Sequence, residues 1–97
     1  MHYPIIEAKN LTNEPNNPEF DQLHGRMNKY RGKFGILVCR KVQNKDRAIE
    51  ICKTYLPDRY VIYLTDEDIF EMLELSREDK IDEIDDLMDN RLKKVIF

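Results

Sequence analysis

Glu7 and Lys9 stand two positions apart at the end of the apolar stretch Tyr3-Pro4-Ile5-Ile6-Glu7-Ala8-Lys9-Asn10. Strand side chains alternate between faces, so Glu7 and Lys9 project to one side while Ile6 and Ala8 project to the other. Ionised groups are costly to desolvate unless they are paired or bound to a metal. A co-facial acid and base at a strand end suits metal-dependent phosphodiester hydrolysis. The carboxylate holds a divalent cation, and the ammonium sits where water attacks and charge builds on the phosphate. The plain alternative is an exposed edge strand with a solvated i, i+2 ion pair.

Such a strand needs a frame. Asn10 to Asn17 is a polar loop with Pro15, and Asn17-Pro18 starts a helix, with Asn capping and Pro in the first helical turn. Phe20, Leu23, Met27 and Tyr30 recur at helical spacing, which predicts an amphipathic helix over 18–31. Gly32 punctuates it. The apolar run from Phe34 to Cys39 is too short for a buried helix and reads as a central strand covered on both faces. Asn44 caps a second helix with Ala48, Ile49, Cys52, Tyr55 and Leu56 on its apolar side, closed by Pro57. Tyr60–Leu64 is a third strand, rich in β-branched and aromatic residues.

Thr65-Asp66-Glu67-Asp68 and Ser76-Arg77-Glu78-Asp79 both resemble capping boxes. They open a short helix bearing Ile69, Phe70 and Leu73, and a longer one striped by Ile81, Ile84, Met88, Leu92 and Val95. The order β-α-β-α-β-α-α, with crossovers long enough for parallel pairing, predicts an α/β fold. Its core is a small three-stranded, mostly parallel sheet with flanking helices. The strands 5–9, 34–40 and 60–64 are expected to be neighbours, the middle one most buried. One domain spans 1–97: a core over 1–64 and acidic C-terminal helices over 65–97.

With 41% hydrophobic and 36% charged residues, the composition is that of a globular, highly charged chain. No apolar run approaches the ~20 residues of a membrane span, and the N-terminus lacks a basic-then-apolar signal. The expected location is the cytoplasm, with no membrane partner. Cys39 and Cys52 have no CxxC or Cys/His context and read as buried thiols of a reducing compartment. His2 and His24 pair with no nucleophile, and Gly25, Gly32 and Gly35 lack the spacing of a phosphate loop.

Charge is segregated. Between Gln22 and Arg59 ten Lys/Arg face three acids, a net of +7; between Thr65 and Asp89 twelve acids face Arg77 and Lys80, a net of −10. One part therefore suits a polyanion, and the other a solvated face or a basic partner. The row Asp82, Asp85, Asp86 and Asp89 lacks the glycine and spacing of a calcium loop and reads as a solvated helix face.

Ile5-Ile6-Glu7-Ala8-Lys9-Asn10, a helix bearing Gln22, and then Arg31-Gly32-Lys33-Phe34-Gly35-Ile36-Leu37-Val38 resemble the second half of a PD-(D/E)xK nuclease core. The likeness is to the Mrr-like restriction endonucleases and covers about the first 60 residues. The resemblance implies a partial restriction-endonuclease-like core in which Glu7 ligates magnesium, or manganese, with help from the Ala8 carbonyl. Lys9 would assist the attacking water or stabilise the phosphate, and the Gln22 amide would bridge Lys9 and the phosphate. Arg26, Lys29, Arg31 and Lys33 would contact DNA phosphates without reading sequence.

That family needs another acid on a strand upstream of its acid-x-lysine strand, and none of Met1 to Ile6 is acidic. Glu19 and Asp21 are the nearest substitutes. Two expectations follow. One is a metal-dependent DNA endonuclease domain, incomplete as it stands, to which an upstream domain of the same protein adds the acid. The other is a non-catalytic nuclease-like interaction or oligomerisation domain that uses its acidic C-terminal helices for protein contact or self-association. Edge pairing of the thin sheet in a homodimer is a further expectation. Either way, metal binding by this chain alone is expected to be weak, and DNA binding weak and salt-dependent.

Overall fold

The computed structural model describes residues 4–9 and 14–97. The expected loop residues 10–13, and His2 and Tyr3, lie outside the described residues. The elements are β1 (Ile5–Ala8), α1 (Asn17–Tyr30), β2 (Phe34–Val38), α2 (Lys45–Lys53), β3 (Tyr60–Leu64), α3 (Asp66–Arg77) and α4 (Ile81–Ile96). The strands form one parallel sheet in the order β1-β2-β3, with Ile6 level with Ile36 and Ile36 level with Ile62. The α/β class and the element order agree with the sequence pattern.

Local chemistry sets the helix ends. The cap of α1 is Asn16 rather than Asn17, and the Glu19 carboxylate accepts its backbone N–H at 2.8 Å. Arg31 closes α1 in the left-handed region at φ 57°, so the chain can turn straight into Gly32. A Cβ on Gly32 would stand 2.7 Å from the Ile5 side chain, and one on Gly35 would stand 2.5 Å from the Met27 sulfur. Both glycines let α1 sit close to the sheet. Asn44 caps α2 through the Arg47 N–H at 3.1 Å.

α1 and α2 lie side by side on one face. Leu23 and Met27 of α1 pack over Gly35, and the His24 ring of α1 stacks on Tyr55 beyond α2 at 4.7 Å. α4 packs along β3 and α2, and α3 packs on α4. The core gathers Phe20, Leu23 and Met27 with Leu37, Cys52, Val61, Ile62, Tyr63 and Val95.

Several details depart from the sequence pattern. Ser76 lies within α3 and caps nothing, α4 being preceded by Lys80 with no side-chain cap. α2 ends at Lys53, before Tyr55 and Leu56. β3 is at least as buried as β2, because α4 covers the strand that the topology leaves at an edge. The apolar stripe of α4 begins at Ile84, since Ile81 is exposed. In α3 the packed residues are Ile69, Met72 and Leu75, while Phe70 and Leu73 face outward.

Candidate functional site

The sheet and α1 together account for the meeting of Glu7, Lys9, Gln22 and Arg26. Glu7 and Lys9 share the α1 face of β1, because Glu7 is level with Leu37 and two residues from Gly35, over which α1 packs. Gln22 and Arg26 are one turn apart on α1, beside the buried Leu23 and Met27. A helix linking two parallel strands runs back against them, so the later strand residue meets the earlier helix residue. The Lys9 ammonium donates to the Gln22 Oε1 at 2.6 Å. One turn on, the Arg26 Nε lies 2.8 Å from one Glu7 oxygen, and the Lys9 Nζ lies 3.5 Å from the other. Glu7 and Lys9 are mostly covered, whereas Arg26 stays exposed.

Both Glu7 oxygens are thus in ion pairs. Magnesium takes near-octahedral oxygen ligands and is usually held through one or two carboxylates. Here one carboxylate faces two cations. The substitutes named from sequence have other partners: Glu19 caps α1, and Asp21 accepts the Tyr55 hydroxyl at 2.6 Å. No group of three His, Cys, Asp or Glu side chains suited to a metal occurs among the described residues. As arranged, both Glu7 oxygens face cations, so a metal ion there would have to displace Arg26 or Lys9. Ala8 lies on the open edge of the sheet. The Lys9 N–H donates to the Val38 carbonyl at 2.8 Å, so by strand alternation the backbone groups of Ala8 point away from β2.

The basic residues named from sequence divide between the Glu7 cluster and the corner after α1. Arg26 is drawn to Glu7. Lys29, Arg31 and Lys33 sit at the amino edge of the sheet, while Lys9 sits at the carboxyl edge, roughly 20 Å away at the usual strand rise. Arg40, Lys41 and Lys45 follow β2 at the carboxyl edge with Lys9; in sequence they counted only toward the net charge of 22–59. Arg40 and Asp66 line a shallow cavity of about 260 Å³ with Ala8, Lys9 and Cys39. The Cys39 thiol beside it is pushed up to about 11, first by burial and then by Asp66 and Asp68.

A second acid–base cluster was not anticipated. Asp68, three residues into α3, accepts the Thr65 N–H at 2.8 Å with one oxygen and the Arg91 Nη2 at 3.0 Å with the other. Arg91 also donates from Nη1 to the Tyr63 carbonyl at 2.6 Å, and its guanidinium lies 4.5 Å from the Tyr63 ring centre. Burial raises the Tyr63 hydroxyl pKa, and Asp68 raises it further against the opposing pull of Arg91. The capping box was legible in sequence. Its partner was signalled only by Arg91 falling inside the apolar stripe of α4, between Met88 and Val95.

Comparison with known proteins found no matching family model, no similar curated protein and no similar solved structure.

Proposed function

We propose that this chain is a nuclease-like domain that acts through contact rather than phosphodiester hydrolysis. The supporting observation is the closed charge network at Glu7. A carboxylate with both oxygens committed to Arg26 and Lys9 is poorly placed to hold a cation, and Lys9 is held by Gln22 instead of facing open solvent. Its contacts are made through its charged surfaces. Free buried thiols suit a cytoplasmic setting. Among the described residues no helix is long and apolar enough to cross a membrane.

A metal-dependent DNA endonuclease is the second reading. It is favoured by the convergence of Glu7, Lys9 and Gln22, the three residues that the family resemblance pairs. In that case a magnesium or manganese ion would displace Arg26 from Glu7, and a further acid would come from outside this cluster. Arg26, Lys29, Arg31 and Lys33 would then hold DNA weakly and salt-dependently.

Plasmid nicking with magnesium and with manganese separates the two. The contact domain leaves supercoiled plasmid intact in the wild type. Cleavage by the wild type that disappears in both Glu7→Ala and Lys9→Ala would overturn it and establish the enzyme.

A further inference from the structure

α3 carries two apolar stripes. Ile69, Met72 and Leu75 face the fold, while Phe70 and Leu73, one turn apart on the other side, are 68% and 56% exposed. At 100° per residue, Glu67, Glu71 and Glu74 form a row along one flank of that outer stripe, and all three are exposed. The only ion pair that α3 makes outside itself, among the described residues, is Asp68 with Arg91. Among the described residues Glu67 and Glu71 make no ion pair, and Glu74 pairs only with Arg77 of the same helix, so most of the acid row is left unneutralised. An apolar ridge beside an acid row fits a basic surface that carries its own aromatic contact.

The chain has such a surface at the far end of the sheet. Lys29, Tyr30, Arg31 and Lys33 are all exposed, Tyr30 at 60%. Tyr60, also exposed, joins the same edge, because its N–H donates to the Lys33 carbonyl at 2.9 Å. The left-handed turn at Arg31 holds these residues at the corner between α1 and β2. Two copies pairing α3 against α3 would bring acid rows together, which is repulsive. Basic corner against acidic ridge is attractive.

We infer that the occupant of the Phe70–Leu73 ridge is a second copy of this chain, docked through its Lys29–Lys33 corner. This rests on the contact function proposed above and names the partner. The interface is head-to-tail: each copy uses the ridge toward one neighbour and the corner toward another, so assembly continues until a ring closes or a short filament forms.

Sedimentation velocity over a concentration series, at low and high salt, tests this with two variants. One variant is Phe70→Ser with Glu67→Gln, Glu71→Gln and Glu74→Gln. The other is Tyr30→Ser with Lys29→Ala, Arg31→Ala and Lys33→Ala. All the changed residues are exposed, and circular dichroism checks that both variants stay folded. The wild type is expected to self-associate at low salt, with affinity falling about tenfold or more at high salt. Each variant alone should be monomeric. Mixed together, they should form a 1:1 dimer, because each keeps the surface that the other lacks. A monomeric wild type at all concentrations would overturn the inference, and so would self-association that survives either variant. Neither result touches the plasmid test, which alone decides between contact and catalysis.

Discussion

The two acid–base clusters use the same groups, a carboxylate and a guanidinium, yet they differ in what holds them. Asp68 is fixed by the first turn of α3 and by Arg91, and Arg91 is fixed in turn by the Tyr63 carbonyl and ring. Every partner is backbone or a packed side chain. Among the described residues, Glu7 is fixed by Lys9 and by an Arg26 whose side chain is 59% exposed, against 16% for Arg91. A charge pair inside a packed frame is structural. A pair with one arm in solvent can be exchanged for another partner.

That contrast can be broken by substitution. Arg91→Ala should have the largest effect, about 3 kcal/mol of lost stability by urea unfolding, because it leaves Asp68 covered without its cation and uncaps the Tyr63 carbonyl. A loss as small as that of an ordinary surface substitution would remove the distinction between the clusters. Thr65→Ala removes the cap of α3 that also positions Asp68, and should cost about 1 kcal/mol. Arg26→Ala should cost under about 1 kcal/mol, since the exposed arm of that pair is screened by water. A larger loss would make the Glu7 cluster structural as well.

The thiols sharpen the contrast through pH. Burial pushes Cys39 up to about 11 and Cys52 up to about 12, from an ordinary 9.0. A raised folded value means that the folded chain holds its protons longer than the unfolded chain. Their contribution to stability is therefore complete below about pH 9 and is lost as pH rises through 11 to 12. Stability measured from pH 8 upward should decline in that window, and the decline should lessen in Cys52→Ala. Both thiols should resist a thiol-specific reagent at pH 8 until the protein is unfolded.

Much of this architecture was legible because it is local. The period-two pattern of Ile5 to Lys9 placed Glu7 and Lys9 on one face, while Gln22 was set beside them only by the family resemblance. What escaped depended on distance in sequence. Arg26 was read as a phosphate contact because its carboxylate lies 19 positions upstream. Arg91 was overlooked because a cation in an apolar stripe becomes meaningful only when β3 and α3 arrive beside it. Lys29, Arg31 and Lys33 were read as contacts for a phosphate held near Lys9, although the parallel strands carry them to the opposite edge of the sheet.

Manganese titration followed by NMR probes the Glu7 cluster most directly, because paramagnetic broadening reports which amides lie near the ion. With Glu7 committed to Arg26 and Lys9, broadening at the Glu7, Ala8 and Lys9 amides should require millimolar metal, an affinity of about −4 kcal/mol or weaker. It should be no stronger there than at the acidic face of α4. Stoichiometric broadening confined to Glu7–Lys9 at micromolar metal, and abolished by Glu7→Ala, would contradict the closed network and identify a metal centre.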